Sequence, residues 1–164
     1  MTVRLGVTGA TGRMGREVIA AASEREDCEV VFAVNRDPDD ETVDGVDIEP
    51  AAAFDSLVAD REATVVIDFT GPESALEYAE TCADAGVAYV TGTTGFDDDG
   101  LEALEAASED VPVLHAPNFA RGVQALVNVV GEAVQNLPGY DVELVETHHN
   151  GKRDAPSGTA NRLL

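Results

Sequence analysis

The chain has 164 residues, which is enough for one full domain and the beginning of another. Its 32 aspartates and glutamates face only 10 lysines and arginines, for a formal net charge of −22 at pH 7. The negative electrostatic field of such a chain repels phosphate groups. We therefore expect the partners to include no nucleic acid and no membrane. The acidity is dispersed along the chain, which favours a halophilic cytoplasm, where salt screens self-repulsion, over an acidic mesophilic protein.

The two cysteines, Cys28 and Cys82, have neither metal-site spacing nor the density of a disulfide scaffold. We therefore predict small buried thiols in a reducing compartment, and no metal site. The N-terminus enters a strand at once and no apolar run approaches membrane length. The predicted location is accordingly cytoplasmic.

Apolar runs and turn-forming residues predict strands that alternate with helices along the chain. The predicted strands are 3–8, 28–34, 65–69, 87–91, 112–115 and 141–147, with at most a short strand near 46–48. The predicted helices are 16–24, about 52–59, 72–85, 97–108, 122–135 and a last one that begins at 158. This alternation indicates an α/β protein of Rossmann-like architecture, with a parallel sheet covered by helices on both faces.

A glycine pattern joins the first predicted strand to the first helix, with Gly9, Gly12 and Gly15 at every third position. In this context glycines permit a tight turn and a close approach to a pyrophosphate, while the helix N-terminus attracts the anion. The spacing differs from G-x-G-x-x-G by one residue between the first two glycines. We interpret the segment as a dinucleotide-binding loop rather than a purely structural turn.

The end of the second predicted strand bears on the choice of cofactor. NAD sites usually place an acidic residue there for the ribose hydroxyls, whereas NADP sites use arginine for the 2′-phosphate. Here the strand ends in Asn35 and Arg36. We therefore predict that NADPH is preferred and that NADH is possible, with Arg36 as an ordinary solvated residue being the alternative.

The only lysine of the chain, Lys152, stands close to two of the three histidines, His148 and His149. A desolvated lysine or a histidine can release a proton near neutral pH, which arginine cannot. Lys152 and His148 are therefore candidate proton-transfer groups. A Tyr-x-x-x-Lys pair of the short-chain dehydrogenases is excluded, because position 148 is histidine. Adjacent histidines would point to opposite sides of an extended strand, so they do not predict a metal site.

Several segments together resemble the 4-hydroxy-tetrahydrodipicolinate reductase family, also called dihydrodipicolinate reductase. They are the glycine loop at 9–15, the Asp-Phe-Thr segment at 68–70, the Gly-Thr-Thr-Gly-Phe segment at 92–96, the Ala-Pro-Asn-Phe segment at 116–119 and the histidine–lysine block at 146–159. The match runs in order over the whole chain, and the last block is the most specific part. The resemblance implies NAD(P)H-dependent reduction of 4-hydroxy-tetrahydrodipicolinate to tetrahydrodipicolinate in the diaminopimelate route to lysine.

The resemblance also implies the domains, the assembly and the role of individual residues. Residues 1–119 would form the dinucleotide-binding domain and 120–164 the beginning of an α+β substrate domain, in a homotetramer if the chain were of full length. His148 and Lys152 would transfer protons, and the small-molecule dicarboxylate substrate would meet His149, Gly158 and Thr159. The implied cofactor-binding residues are Gly9, Ala10, Thr11, Gly12, Arg13, Met14, Asn35, Arg36, Phe69, Gly92, Thr93, Thr94, Ala116, Pro117, Asn118 and Phe119.

Two departures from the family pattern leave alternatives open. Ala120 stands where serine is usual, and Arg121 follows it. The chain also stops within its last predicted helix, which we expect to reflect a fragment rather than a compact variant. The alternatives are a truncated, non-catalytic NADP-binding module, or another Rossmann-type reductase acting on a semialdehyde. The latter is disfavoured because no cysteine lies near the segments assigned to the nicotinamide.

Overall fold

The structure, a computed structural model, describes residues 2–38, 42–151 and 155–163. Its strands are β1 Val3–Thr8, β2 Cys28–Asn35, β3 Thr42–Val43, β4 Val46–Pro50, β5 Val65–Asp68, β6 Ala88–Thr91 and β7 Val113–His115. Its helices are α1 Arg13–Ser23, α2 Phe54–Asp60, α3 Pro72–Ala85, α4 Asp98–Ala107, α5 Arg121–Gln135 and α6 Gly158–Leu163, with a 3-10 turn at Ala51–Ala53 before α2.

The strands form one sheet in the order β3-β4-β2-β1-β5-β6-β7. Every neighbouring pair is parallel except β3 and β4. The order runs from β1 to β2 on one side and from β1 to β5 on the other, so the strand order reverses at β1. Ligands of open parallel sheets bind outside the carboxyl ends of the strands at such a reversal. The predicted Rossmann-like sheet is confirmed.

Both faces of the sheet are covered by apolar side chains. On one face Ile19 and Ala22 of α1 pack with Val7 and Ala33 of the sheet. On the other face the side chains of α2, α3 and α4 pack on strands β2, β5 and β6, with Phe54, Leu57, Tyr78, Cys82 and Leu104 meeting Phe32, Val66 and Tyr89. Burial of both faces explains why the strand sequences are apolar at successive positions.

Local signals in the sequence explain several helix ends. Pro72 opens α3, where its missing N–H group is not needed, and Gly86 ends the helix at a φ of 71°, in the left-handed region. The side chain of Asp97 accepts a hydrogen bond from the backbone N–H of Gly100 at 2.9 Å and so caps α4. These three boundaries follow the sequence-based prediction closely.

Two predicted boundaries are wrong. Helix α1 begins at Arg13 rather than at residue 16, because the turn through Gly12 leads directly into the first helical residue. The stretch before residue 46 contains β3, which turns into β4 through Asp44 and Gly45, with φ values of 48° and 82°. Asp-Gly is a strong hairpin signal that the sequence-based interpretation did not use.

The predicted strand 141–147 is not formed. Its residues belong to no helix and to no strand, and Val142 and Val145 are 59% and 82% exposed. A strand needs a neighbour for its backbone N–H and C=O groups, and no strand among the described residues pairs with this segment.

The chain divides into two compact units, Met1–His115 and Ala116–Leu164. The first contains the whole sheet and helices α1 to α4, and the second contains α5 and α6. Within the second unit α5 is amphipathic but has no buried residue, and Leu126 and Val129 are at least half exposed. None of the helices that the structure describes has the length and apolar character needed to cross a membrane.

Candidate dinucleotide site and histidine segment

The glycine loop after β1 is a tight turn closed by a hydrogen bond of 3.0 Å from the N–H of Gly12 to the carbonyl oxygen of Gly9. Gly9 has a φ of 67°, and a Cβ atom there would lie 2.6 Å from the carbonyl oxygen of Phe69. Both its conformation and its surroundings therefore require glycine. The turn therefore lies against the end of β5, which Phe69 follows.

Gly15 lets α1 approach this turn closely. A Cβ atom at Gly15 would lie 2.7 Å from the Cα of Ala10 and would also collide with the carbonyl oxygen of Gly9. No acidic residue stands in the first turn of α1, and Gly12 caps it without a side chain. The first N–H groups of a helix lack intrahelical acceptors and carry a partial positive charge. The loop thus offers an anion both space and N–H donors, as the predicted pyrophosphate site requires.

A cavity of about 920 Å³ opens beside this loop at the carboxyl edge of the sheet. It is lined by loop residues Gly9, Thr11 and Gly12, by the β2 end, by the start of α2 and by α3 residues. Asn35 and Arg36, which are predicted cofactor residues, also line it. Sequence reasoning did not find the α3 contribution, which includes Ser74, Tyr78 and Thr81, because a mid-helix polar residue carries no local signal of a binding role.

The charge around this cavity is uneven. Arg36 is the cationic residue of its lining, which also includes the carboxylates of Asp37, Asp55, Glu77 and Glu80. Burial, with a further contribution from the negative charge of Asp68, raises the pKa of the Tyr78 hydroxyl, so this group remains a neutral donor near pH 7. The binding of a phosphate in the cavity would therefore depend on Arg36 and on salt that screens the charge of the carboxylates.

A second cavity, of about 420 Å³, adjoins the first. The two cavities share four lining residues, Gly12, Phe69, Thr70 and Gly71. The two cavities are therefore continuous along the carboxyl edge of the sheet. The second cavity is lined further by Arg13 and Met14 and by Gly92, Thr93 and Thr94, all predicted cofactor residues. The Phe69 ring occupies the space above Gly92, where a Cβ atom would lie 2.6 Å from the ring Cδ1. Glycine at position 92 is therefore needed for this packing.

Beneath the second cavity lies a completely buried carboxylate, Asp68. Its Oδ1 accepts hydrogen bonds from the hydroxyls of Thr8 and Thr70 at 2.6 and 2.7 Å. Its Oδ2 accepts from the hydroxyls of Thr91 and Thr93 at 2.8 and 2.7 Å. A carboxylate has about four acceptor positions, and here four threonine hydroxyls occupy them. A buried charge is tolerated only with such satisfaction.

The register of the sheet explains how these groups meet. Thr8 of β1 pairs with Asp68 of β5, and Asp68 pairs with Thr91 of β6. Residues at paired positions of parallel strands project from the same face. His115 of β7 continues the row, and its Nε2 donates to the carbonyl oxygen of Thr93 at 3.2 Å. His115 is therefore a hydrogen-bonded residue at the end of a strand.

The same buried region changes the chemistry of Cys82 and Tyr89. Burial raises the pKa of the Cys82 thiol to about 12, and the nearby negative charge of Asp68 adds to the shift. Burial likewise raises the pKa of the Tyr89 hydroxyl, which donates to the carbonyl oxygen of Ala75 at 2.9 Å. Both groups are neutral core residues. Cys82 is fully buried as predicted, whereas Cys28 is only partly buried.

In the second unit, Asn118 links two groups of predicted site residues. Its side-chain amide donates to the hydroxyl of Thr159 at 3.3 Å, and its Oδ1 accepts from the N–H of Ala120 at 2.8 Å. The segment 116–119, predicted to bind cofactor, is thereby joined to the start of α6, predicted to bind substrate. Ser157 caps α6, because its hydroxyl accepts from the N–H of Ala160 at 3.0 Å.

Glu146 holds the histidine segment in a defined arrangement. Its Oε1 accepts from the N–H of Ser157 at 2.8 Å, and its Oε2 lies 3.5 Å from Nδ1 of His148. Nδ1 of His149 accepts from the N–H of Gly151 at 3.1 Å, so the proton of a neutral His149 ring resides on Nε2. These contacts indicate that Glu146 orients the neighbouring groups of this segment.

Lys152 lies outside the described residues, so its predicted role stays a prediction. Among the described residues, no three His, Cys, Asp or Glu side chains are grouped so that they could hold a metal ion. The predicted cofactor residues of the first unit line the two cavities, except Ala10, which is fully buried. Those of the second unit, together with His148, His149, Gly158 and Thr159, belong to a separate compact unit.

Comparison with known proteins covers nearly the whole chain. Residues 3–119 match the family described as Dihydrodipicolinate reductase, N-terminus, and residues 122–164 match Dihydrodipicolinate reductase, C-terminus. A solved structure, dipicolinate-bound dihydrodipicolinate reductase from Paenisporosarcina sp. TG-14, aligns with a TM-score of 0.80 and 30% identity. That alignment covers 99% of this chain and 64% of the solved chain.

Two relatives called 4-hydroxy-tetrahydrodipicolinate reductase come from halophilic archaea. The protein of Natronomonas pharaonis is 56% identical over 158 residues, covering 96% of this chain and 62% of the relative. The protein of Haloarcula marismortui is 48% identical over 161 residues, covering 98% of this chain and 63% of the relative. The chain therefore spans less than two thirds of the length of these relatives, whose origin agrees with the halophilic setting predicted from its charge.

Proposed function

Because this chain belongs to the dihydrodipicolinate reductase family, we propose that it serves the NAD(P)H-dependent reduction of 4-hydroxy-tetrahydrodipicolinate to tetrahydrodipicolinate. The observation that carries the proposal is that the two cavities are continuous. Together they are lined by the glycine loop and by the loops after β5 and β6. Relatives that bear the name of this activity support it. The reaction would belong to the diaminopimelate route to lysine and take place in the cytoplasm.

The two parts of the chain receive different roles in this proposal. Residues 1–119 would form the dinucleotide-binding domain and 120–164 the beginning of the substrate domain. The division into compact units after His115, close to the proposed boundary, supports this assignment. A homotetramer of a full-length chain is part of the same proposal, and light scattering would test it.

The described residues fit a dinucleotide, because the glycines of the loop stand where a side chain would collide with backbone. Gly9, Ala10, Thr11, Gly12, Arg13 and Met14 would hold the pyrophosphate and the adjoining ribose. Phe69, Gly92, Thr93 and Thr94, together with Ala116, Pro117, Asn118 and Phe119, would hold the nicotinamide end. When bound, the reduced nicotinamide supplies a hydride to the conjugated C=C–C=N system that forms when the substrate loses its 4-hydroxyl group as water.

The proton that must follow this hydride is assigned to His148 and Lys152. Negative charge develops toward the ring nitrogen of the substrate, and a cationic acid nearby stabilises that charge and supplies the proton. The contact between Glu146 and Nδ1 of His148 supports this role, since it fixes the imidazole and leaves Nε2 as the nitrogen for proton transfer.

A dicarboxylate substrate would be bound by His149, Gly158 and Thr159. The hydrogen bond from Gly151 to Nδ1 of His149 supports this assignment, because it leaves the Nε2–H of the neutral ring as a donor for a carboxylate. The solved relative that contains dipicolinate shows that a protein of this family binds a small dicarboxylate.

NADPH is the proposed preferred cofactor, and NADH the secondary one. The position of Arg36 on the large cavity, beside Asn35 rather than an acidic residue, supports the preference. Replacing Arg36 by Ala should weaken NADPH binding by about tenfold and leave NADH binding within about twofold, since one charged contact to a phosphate is lost. An unmodified chain that binds NADH more tightly than NADPH would contradict the preference.

The experiment that tests the activity is a coupled assay with enzymatically generated substrate, at low and at multimolar salt. We expect NADPH oxidation that depends on substrate, and a loss of about a hundredfold or more in kcat for Lys152→Ala and for His148→Gln. The Kd for NADPH should change little in both variants. Equal losses of turnover and of cofactor affinity would contradict the proton-transfer role.

A second candidate function is a dinucleotide-binding module without catalysis. It has support from one observation, since every residue that lines the two cavities described above belongs to the unit Met1–His115. Titration calorimetry separates the two functions, because the module binds NADPH without oxidising it when substrate is added.

A further inference from the structure

The two loops that line the small cavity share one buried anchor. Thr70 and Thr93 both face this cavity and both donate their hydroxyl protons to Asp68, at 2.7 Å each. Asp68 itself lines neither of the two cavities described above and is fully buried. Its hydrogen bonds can therefore reach a ligand only through the groups that it holds.

The hydrogen bonds continue from the carboxylate into the backbone of both loops. Because the hydroxyl proton of Thr93 points to Asp68, its oxygen accepts the N–H of Thr70 at 3.1 Å. Because the hydroxyl proton of Thr91 points to Asp68, its oxygen accepts the N–H of Thr93 at 3.1 Å. One carboxylate thus determines the direction of two hydroxyls, and these in turn fix two backbone amides.

The same arrangement determines what the cavity offers to a ligand. The hydroxyl of Thr70 donates to Asp68 and lies 3.5 Å from the carbonyl oxygen of Gly71. Because their protons are directed to Asp68, the hydroxyl oxygens of Thr70 and Thr93 can act toward a ligand only as hydrogen-bond acceptors. Lone pairs suit a ligand group that donates, such as the N–H₂ of a carboxamide, and disfavour an anionic one.

We propose that Asp68 is a positioning residue, whose carboxylate orients the hydroxyls of the loops at 69–71 and 92–94 and thereby sets the affinity of the small cavity for the nicotinamide half of the cofactor. The proposal rests on the proposed function, since it takes the nicotinamide as the occupant of this cavity. It assigns no chemical step to Asp68.

Replacement of Asp68 by Asn tests the hydroxyl directions at constant shape. An amide has two donor protons, so it can no longer accept from all four threonines, and hydroxyls must reverse. Calorimetry would compare NADPH with 2′-phospho-ADP-ribose, which lacks the nicotinamide. We expect NADPH to bind about tenfold more weakly to Asp68→Asn, while 2′-phospho-ADP-ribose changes by less than about twofold.

Thr91 offers a second variant, because it is not among the residues that line either cavity. Thr91→Val removes the hydroxyl that links Asp68 to the N–H of Thr93 and should reduce NADPH affinity selectively, as Asp68→Asn does. Thr91→Ser keeps the hydroxyl and should recover most of that loss. If Asp68→Asn prevents folding, this pair decides by the same criterion.

Thr64→Val is the matched control. Its hydroxyl accepts from the N–H of Arg4 at 3.0 Å, so it also joins β1 to the β5 region, but at the amino end of the sheet. The same chemical change there should leave the ratio of the two affinities unaltered. Equal weakening of both ligands in Asp68→Asn and Thr91→Val, or no weakening, would overturn the positioning role. An unmodified chain that fails to bind NADPH would overturn the proposed function, and this inference with it.

Discussion

Asp68 and Glu146 are two carboxylates that each organise groups assigned to ligand binding, but in opposite surroundings. Asp68 is fully buried and accepts from four threonine hydroxyls. The side chain of Glu146 is 27% exposed, and its two oxygens face a backbone N–H and the His148 ring. The first carboxylate is held by the register of three parallel strands. The second is held by a segment that has no ladder pairing among the described residues.

The contrast shows two ways of orienting a functional group. A buried network is costly to disturb, because each partner left without a hydrogen bond retains its full desolvation penalty. A half-exposed contact is replaced by water at little cost. The edge of the sheet is therefore expected to be rigid and coupled to stability. The histidine segment is expected to be adjustable and coupled mainly to reaction chemistry.

The largest expected effect separates the two carboxylates directly. Asp68→Ala removes the acceptor of four buried or half-buried hydroxyls and should reduce the free energy of unfolding by about 3 to 5 kcal/mol. Glu146→Ala should reduce it by about 1 kcal/mol. Urea denaturation followed by circular dichroism, at one fixed salt concentration, measures both. Equal losses would remove the distinction between the two regions.

A pair of glycines extends the comparison to the backbone. Gly15→Ala forces a Cβ atom against Ala10 and Gly9 and should cost about 1 to 3 kcal/mol, because the backbone cannot move aside without opening the loop. Gly131 lies in α5 with open space where its Cβ atom would stand. Gly131→Ala should therefore stabilise by about 0.5 to 1 kcal/mol through helix propensity. Thermal unfolding of the two variants, compared with the unmodified chain, shows whether each substitution lowers or raises the stability.

Thiol labelling tests how closed the core around Asp68 is. Burial raises the pKa of Cys82 to about 12, so its reactive thiolate is scarce at neutral pH and shielded from reagent. We expect Cys28, which is partly exposed, to react with iodoacetamide in the folded chain, and Cys82 to react only after unfolding. Mass spectrometry of peptides from native and urea-treated samples distinguishes the sites. Rapid labelling of Cys82 in the native sample would contradict a closed core.

The smallest expected effect belongs to a surface carboxylate. Asp27 and Arg25 form a two-point contact, in which Nε of Arg25 lies 2.9 Å from Oδ1 of Asp27 and Nη2 lies 2.8 Å from Oδ2. The hydrogen bond from Arg25 lowers the pKa of Asp27, so the pair stabilises the fold above the usual carboxyl range and loses this as pH falls through the lowered value. In acid titrations, Asp27→Asn should thus slightly reduce the loss of stability as the pH falls. Multimolar salt should abolish this difference between the variant and the unmodified chain. A difference that persists in high salt would show that the contact is not an exposed one.

Local patterns account for the parts of this protein that were predicted well. The apolar runs, the proline before α3 and Gly86 after it act within a few residues, so they can be read without knowledge of the fold. The glycine loop is of the same kind, because a left-handed φ at Gly9 and the close packing at Gly15 involve neighbouring residues. The hairpin at Asp44 and Gly45 was also within reach, but its signal was not used.

Order along the chain therefore determined the α/β architecture, the glycine loop and the segments that end at the carboxyl edge. Only the tertiary structure decided that Asp68 joins Thr8, 60 positions away, and Thr91, 23 positions away. Such partners meet because strand register aligns them, and register depends on the packing of the whole sheet rather than on any local sequence. For the same reason the segment 141–147 remained without ladder pairing, since a strand forms only where another strand completes its hydrogen bonds.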